Sequence, residues 1–458
     1  MTAAVLAVGL WSLAPQTART SQDGRPNILL IQADDLGYGD LSVYGQKHFE
    51  TPSIDRLARE GTRFTQYYSG STVCAPSRAA LMMGLHTGHV SIRGNSELPL
   101  PDGDRTMAMV LRDAGYRTAL VGKWGLGDPG TAGQPDRKGF EYSFGFLNQR
   151  HAHRQFTEHL YRNAARVETD VTRDYANDLF TREAAAFIER EDARPFFLYL
   201  NYTVPHAELR VPDEALKPFV GKFDEKPFVN EKADARQAGW KDVSLGYRSQ
   251  PLPLAAFAAM ITRMDRDVGS LVDILRKRGL DQRTIVLFTS DNGPHREGGA
   301  DPAFFESSGG LRGIKRDLYE GGIRVPMVAW GPGRVPGGRV SDHVWSHWDV
   351  LPTFAELAGA RPPDGLDGRS MVRALGGESQ PSHEFLYWEF HERGFQQAVR
   401  MGNWKAVRLK KDAPLELYDL SRDRAETRDV ASDNAAVVER IEAYLRTARA
   451  DSAQWPVK

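Results

Sequence analysis

Two pairs of oxygen-bearing side chains, Asp34-Asp35 and Asp291-Asn292, each stand just behind a short apolar run, Asn27 to Gln32 (NILLIQ) and Thr284 to Thr289 (TIVLFT). Adjacent carboxylates repel one another and resist ionisation unless a cation lies between them. A divalent metal is the economical explanation. Four oxygen ligands without a nitrogen or sulfur ligand favour calcium or magnesium over zinc. A single such pair more often caps a strand or turn; two pairs behind two strands point to one hard-cation site.

The only cysteine, Cys74, lies in Ser71 to Gly84 (STVCAPSRAALMMG). Pro76 suits the first turn of a helix, which puts residue 74 at or just before a helix N-terminus. Unpaired N–H groups and the helix dipole favour an anion there, and Arg78 adds a guanidinium one turn later. The combination suits a tetrahedral oxyanion. A lone cysteine is ordinarily a small buried hydrophobe, so its neighbours decide the matter. One cysteine also excludes an intramolecular disulfide framework and a cysteine-rich zinc site.

Such residues need a scaffold that gathers strand ends on one edge. Short β-rich runs alternate with longer amphipathic segments, the pattern of an α/β domain with a largely parallel sheet. Asn27 to Gln32 reads as the first buried strand, followed by a helix opened by Thr51-Pro52-Ser53 and stopped at Gly61. Thr106 to Ala114 reads as a helix, Thr118 to Val121 and Pro195 to Asn201 as strands, and Leu254 to Arg278 as a long helix. Ligands of such sheets sit beyond the carboxyl ends of the strands. Behind the turn cluster at 362–365, three runs (385–390, 397–401 and 404–409) alternate as hairpin strands, and a helix covers 434–448. Residues 222–249 are polar and weakly periodic and read as an inserted surface loop.

With 458 residues the chain can bury a large core. Its 59 Lys and Arg against 60 Asp and Glu give a formal charge of −1. That balance offers no footprint for nucleic acid or an anionic membrane, so anion recognition must be local. Ala3 to Pro15 is apolar for about the length of a signal-peptide core, although no Lys or Arg precedes it. It resembles an export signal and implies a periplasmic or secreted protein. No later stretch approaches the roughly 20 apolar residues of a spanning helix.

The segment CAPSR at 74–78 resembles the signature C-x-P-S-R of the formylglycine-dependent (type I) sulfatases, arylsulfatase-like enzymes of the alkaline phosphatase superfamily. The resemblance runs from Pro26 through GLHTGH at 84–89, GKWGLG at 122–127, PHAE at 205–208, SDNG at 290–293 and GIKRDLYEGGIRVP at 313–326. GNWK at 402–405 and LELYDL at 415–420 resemble the small domain that ends these enzymes. The implied fold is a large mixed, mostly parallel sheet sandwiched by helices, with a smaller C-terminal α+β domain of antiparallel strands plus a helix. The implied organisation is a signal peptide and linker at 1–25, a catalytic domain at 26–362 and a small subdomain at 363–458.

The resemblance also implies a chemistry. A formylglycine-generating enzyme would oxidise Cys74 to the aldehyde, whose hydrate offers one hydroxyl to attack sulfur and a second to expel sulfate. One Ca²⁺ would be held by Asp34, Asp35, Asp291, Asn292 and the modified residue 74. Arg78 would orient the diol, Lys123 and Lys315 would clamp the sulfate, and His206 would protonate the leaving alcohol. The pattern departs at Gly125, where the family carries a histidine after Trp124; His153 and His295 are the candidate substitutes for that sulfate-side contact. Met83 replaces a common Thr and reads as packing. The implied substrate is a sulfate ester, of a small molecule or of carbohydrate. Two other readings stand beside it: a formylglycine-dependent phosphonate or phosphodiester hydrolase, and a binding protein with a decayed site.

Overall fold

The computed structural model describes residues 24–234 and 246–457. The apolar N-terminal run and the middle of the 222–249 segment lie outside the described residues.

The molecule is organised by an 11-stranded sheet. In chain order its strands are β1 (Asn27–Asp34), β2 (Thr62–Tyr68), β3 (Arg117–Lys123), β4 (Tyr142–Phe146), β5 (His159–Arg162), β6 (Ala165–Glu168), β7 (Phe196–Pro205), β8 (Thr284–Ser290), β9 (Arg324–Trp330), β10 (Arg339–Ser341) and β11 (Trp345–Ser346). They lie in the order β10-β2-β9-β8-β1-β7-β3-β4-β5-β6, with β11 also on β2. The central strands β8, β1, β7, β3 and β4 pair in parallel, and antiparallel pairs flank them. Every residue of β1, β3, β7 and β8 is buried, as expected for strands covered on both faces.

Helices cover each face. Ile54 and Leu57 of the Pro52–Glu60 helix, Phe180 of Ala176–Glu189 and Ile261, Met264, Val268 and Leu271 of Pro253–Lys277 pack on Leu29, Ile31, Leu198 and Leu200. On the other face, Ala79 and Met82 of the Cys74–Met83 helix, Leu111 of Met107–Asp113 and Phe354 of Val350–Leu357 pack on Ile28, Leu30, Phe197 and Leu287. The expected helices and buried strands are present within a few residues of their sequence positions. Thr106 caps its helix, its hydroxyl accepting from the Met109 N–H at 3.3 Å.

Met371, Ala374 and Leu375 still pack in the core of the large sheet. A four-stranded antiparallel sheet then follows: β12 (Leu386–Phe390), β13 (Gln396–Met401), β14 (Trp404–Arg408) and β15 (Glu416–Asp419). One face, with Trp388, Phe390, Ala398 and Val407, packs on Tyr68, Val73, Ile323 and Trp348. The other carries the Ala435–Leu445 helix through Ile441 and Leu445. The smaller sheet thereby braces the segment that leads into Cys74. No helix among the described residues is long and apolar enough to cross a membrane.

Candidate active site

Parallel pairing sends the carboxyl ends of β1, β3, β7 and β8 to one edge, and each delivers polar groups there. Asp34 ends β1 and Asp35 follows it with φ 65°, a left-handed conformation that stores backbone strain in a non-glycine residue. Lys123 ends β3, His206 follows β7, and Asp291 and Asn292 follow β8. Gly122 (φ 105°) makes the β3 exit possible, because a Cβ there would stand 1.8 Å from the Asn201 carbonyl oxygen.

Cys74 begins the Cys74–Met83 helix and is fully buried. Its thiol donates to Asp34 Oδ1 at 3.3 Å. Burial, reinforced by the Asp34 charge, raises its pKa well above the usual range, so the unmodified thiol is a poor nucleophile here. The helix is pinned by Ser77, whose hydroxyl donates to the Asp291 carbonyl at 2.5 Å and lies 3.0 Å from His347 Nδ1. His347, which sequence reasoning did not single out, thus fixes the helix start.

Three buried cations face three buried carboxylates. Lys123 Nζ lies 2.7 Å from Asp34 Oδ2, and Lys315 Nζ lies 2.7 Å from Asp35 Oδ2. Arg78 holds Asp291 Oδ2 through Nε and NH2 at 3.1 and 2.8 Å, and its NH1 donates to the Lys123 carbonyl at 3.1 Å. Burial opposes the charge of all three cations, but the facing carboxylates outweigh it and raise their pKa values. Burial likewise opposes the Asp34 charge, and Lys123, His206 and Arg78 outweigh it, holding its carboxyl well below the usual range. Asp291 is pushed the other way, by burial and by the neighbouring Asp34.

The donor set fits a hard cation. The ligand atoms of Asp34, Asp35, Cys74 and His206 lie within 4.8 Å of one another. Asn292 donates from Nδ2 to Asp35 Oδ1 at 2.7 Å, while its Oδ1 is buried without a hydrogen-bond partner. An unpartnered amide oxygen beside three carboxylates is the kind of oxygen donor set a hard cation takes. Asp34, Asp35 and Asp291 are matched by Lys123, Lys315 and Arg78, so a dication held there would make this cluster net positive and receptive to an anion.

The histidines divide by their hydrogen bonds. His206 points Nδ1 at the Ala207 carbonyl, which leaves Nε2 facing the site, 3.4 Å from Asp35 Oδ2. Burial, then Lys315, keep its pKa well below the usual value, although Asp34 opposes them. His153 stacks on it, ring centroids 4.3 Å apart, with Nε2 buried and unpartnered. His295 is brought to the same place with both ring nitrogens committed: Nε2 lies 3.0 Å from the Pro205 carbonyl, and Nδ1 accepts from the Glu297 N–H at 3.0 Å. Both ring nitrogens of His295 are thus held by the backbone, which leaves no free N–H for a sulfate oxygen in this arrangement. Gly125 has φ 72°, and a Cβ there would meet Gln149 Oε1 at 2.4 Å. Gln149 therefore occupies the space where a side chain at 125 would begin.

Other groups at the site escaped the sequence reading. Glu297 Oε2 lies 3.7 Å from Lys315 Nζ and 4.0 Å from His206 Nε2, and accepts from the Tyr247 hydroxyl at 3.1 Å. Asn95 Oδ1 accepts the Ala75 N–H at 2.9 Å, next to Cys74. The EGG run after SDNGPH and the Asn of IRGN were the only signals for them.

A family model described as Sulfatase matches residues 26–360. The chain belongs to the sulfatase family. A second model, N-sulphoglucosamine sulphohydrolase, C-terminal, matches residues 313–451 of this sulfatase. The N-acetylgalactosamine-6-sulfatase of Canis lupus familiaris is 32% identical over 427 residues, 83% of this chain and 71% of the relative. The steryl-sulfatase of Homo sapiens is 30% identical over 461 residues, 81% and 73% of the two chains. Among solved structures, Ps i-CgsB in complex with k-i-k-neocarrahexaose superposes with a TM-score of 0.79 at 29% identity, covering 95% of each chain. The protein is a sulfuric ester hydrolase, with the mixed sheet and small antiparallel sheet of that family.

Proposed function

We propose that this sulfatase removes sulfate from carbohydrate, with residue 74 converted to formylglycine and one calcium ion held by Asp34, Asp35, Asp291 and Asn292. The observation that carries the reading is Cys74 at a helix start, in contact with Asp34, among two lysines that each hold one oxygen of the Asp34-Asp35 pair. The hydrated formylglycine supplies an oxygen nucleophile and calcium polarises the oxygens brought to it. The chain's own residues do the rest. Lys123 and Lys315 hold sulfate oxygens where negative charge develops. Arg78 opposes the burial and the Asp34 charge that disfavour the Asp291 carboxylate, and orients residue 74. His206 delivers a proton from Nε2 to the leaving oxygen, and the negative charge of the bound ester works against the burial and the lysines that otherwise keep the ring neutral. His153 supports His206 by stacking and offers its free Nε2 to a sulfate oxygen.

The carbohydrate assignment draws on relatives and structural neighbours named for sulfated sugars and carrageenan oligosaccharide. In this reading segment 26–362 carries the chemistry and 363–458 braces it. The apolar N-terminal run supports a periplasmic or secreted location, and the Cys74 signature supports a formylglycine-generating enzyme as maturation partner. The test is a panel of sulfated sugars, an aryl sulfate and a phosphonate monoester, each assayed with calcium and with excess chelator. Sugar sulfates should be turned over, and only with calcium. Retained turnover in chelator would remove the metal assignment, and preference for the phosphonate would replace the reaction.

A further inference from the structure

A pocket of about 330 Å³, within the range typical of small-molecule sites, opens beside the buried cluster and is lined by Glu297, Lys315, Arg316 and Arg393 among others. Lys315, the proposed sulfate clamp, is part of this lining, so a sulfate held by it would turn the organic part of the ester towards this wall. Besides Asp35, a proposed metal ligand 3.4 Å from His206 Nε2, Glu297 is the carboxylate beside the proposed proton donor: its Oε2 lies 4.0 Å from that nitrogen and 3.7 Å from Lys315 Nζ. Its side chain is 23% exposed, enough to be touched from the pocket.

Glu297 is held from behind. Arg316 NH1 grips Oε1 at 2.6 Å, and the Tyr247 hydroxyl donates to Oε2 at 3.1 Å. Arg316 is itself fixed by Glu392 Oε2 at 3.3 Å and has a φ of 75°. Burial works against the Glu297 charge, but Lys315, His206, His295 and Arg316 outweigh it and hold the carboxyl below its ordinary range. Two cations lie against its oxygens, Arg316 NH1 at 2.6 Å from Oε1 and Lys315 Nζ at 3.7 Å from Oε2. What remains is a rigid, ionised acceptor with no proton of its own and lone pairs to spare.

The leaving oxygen of the ester must come within hydrogen-bonding distance of His206 Nε2. On a sugar ring, a free hydroxyl neighbouring the sulfate is then presented within reach of a group 4.0 Å from that nitrogen. A phenol or simple alcohol offers no such hydroxyl.

We propose that Glu297 is a specificity-determining residue that selects sulfated sugars over other sulfate esters by accepting a hydrogen bond from a free hydroxyl beside the sulfated position. The proposal rests on the sulfatase reading above and adds what the organic part of the substrate must carry.

The experiment uses the mature, calcium-loaded enzyme. Its probes are galactose 2-, 3-, 4- and 6-sulfates, the mono-deoxyfluoro analogues of whichever is turned over best, and 4-methylumbelliferyl sulfate. Fluorine keeps the size of a hydroxyl but cannot donate. In the unsubstituted enzyme, one analogue should lose about 10- to 100-fold in kcat/KM, the worth of a hydrogen bond to a charged group. In Glu297→Ala the same analogue should lose less than about threefold relative to its parent sugar, and Glu297→Gln, which keeps an acceptor, should fall between. Ratios within one variant cancel any common loss from disturbing His206 or Lys315. The proposal is overturned if no analogue is penalised, or if the penalty survives in Glu297→Ala. Either result with the aryl sulfate still hydrolysed sinks Glu297 alone, whereas failure to hydrolyse any of the sulfates sinks the sulfatase reading with it.

Discussion

Cys74 Sγ and Lys123 Nζ approach opposite oxygens of one carboxylate, Asp34 Oδ1 at 3.3 Å and Asp34 Oδ2 at 2.7 Å. The proposed nucleophile position, a proposed metal ligand and a proposed sulfate clamp thus share a single side chain, so a change in one reports on the others.

Replacing Lys123 by Ala should lower kcat/KM by about 10²- to 10³-fold, the usual cost of losing one donor to developing charge. It also leaves Asp34 buried without its cation. Removing one member of a buried pair costs about 3–5 kcal/mol, and calcium should relieve that deficit. Urea unfolding of Lys123→Ala should therefore show a stability loss, relative to the parent, that shrinks when calcium replaces chelator. An identical loss in both conditions would separate Asp34 from the metal.

Asp40 makes a pH-dependent contribution. Its Oδ2 accepts the Gly37 N–H at 2.7 Å, and complete burial pushes its pKa up from 3.8 to about 7. A carboxyl whose folded pKa lies above its unfolded value contributes stability below the unfolded pKa and loses it as pH rises through the folded pKa. The cost of ionising it should accumulate between pH 3.8 and about 7 and reach on the order of 4 kcal/mol. Asp40→Asn should exceed the parent in urea midpoint at pH 8, at fixed saturating calcium, with the gap closing near pH 4. A constant gap across that window would contradict the assignment.

Gly125→His, which restores the family residue, should reduce activity. The left-handed φ of 72° costs a non-glycine residue about 1–2 kcal/mol, and the new Cβ collides with Gln149 Oε1. Adding Gln149→Ala should recover part of the loss. A single variant more active than the parent would show that the position accepts a side chain after all.

Lys405 is buried between Glu320 and Glu426, at 3.2 and 3.4 Å, where the small sheet meets the large one. Lys405→Met leaves two carboxylates facing each other and should cost about 3–5 kcal/mol in chemical unfolding. Arg361→Met removes an exposed pair with Asp364, both side chains above 80% exposed, and should stay within about 0.5 kcal/mol. Similar losses for the two variants would mean that the buried network does not brace the sheets.

The buried strands and amphipathic helices were legible because apolar runs and 3.6-residue stripes are local properties. β9 was not: Pro326 in RVPMVAW argues against a central strand. The structure accommodates it where the register between β2 and β9 shifts, between Phe64 and Tyr67. β2 was missed because TRFTQYY is half-buried and weakly apolar. At the site, Asp34, Asp35, Asp291 and Asn292 were readable from their place behind strands, and the lysines only through resemblance, since a buried lysine looks like any other in sequence. Glu297, Tyr247 and His347 depend on contacts between segments far apart in the chain, which no spacing rule encodes. His295 was visible as a residue, but its two backbone hydrogen bonds were not.

The most direct measurement is the mass of the tryptic peptide Phe64 to Arg78 from active protein made in its own host. The account predicts loss of the Cys74 thiol in favour of the aldehyde or its hydrate. An intact thiol in protein that still hydrolyses sulfate esters would contradict it.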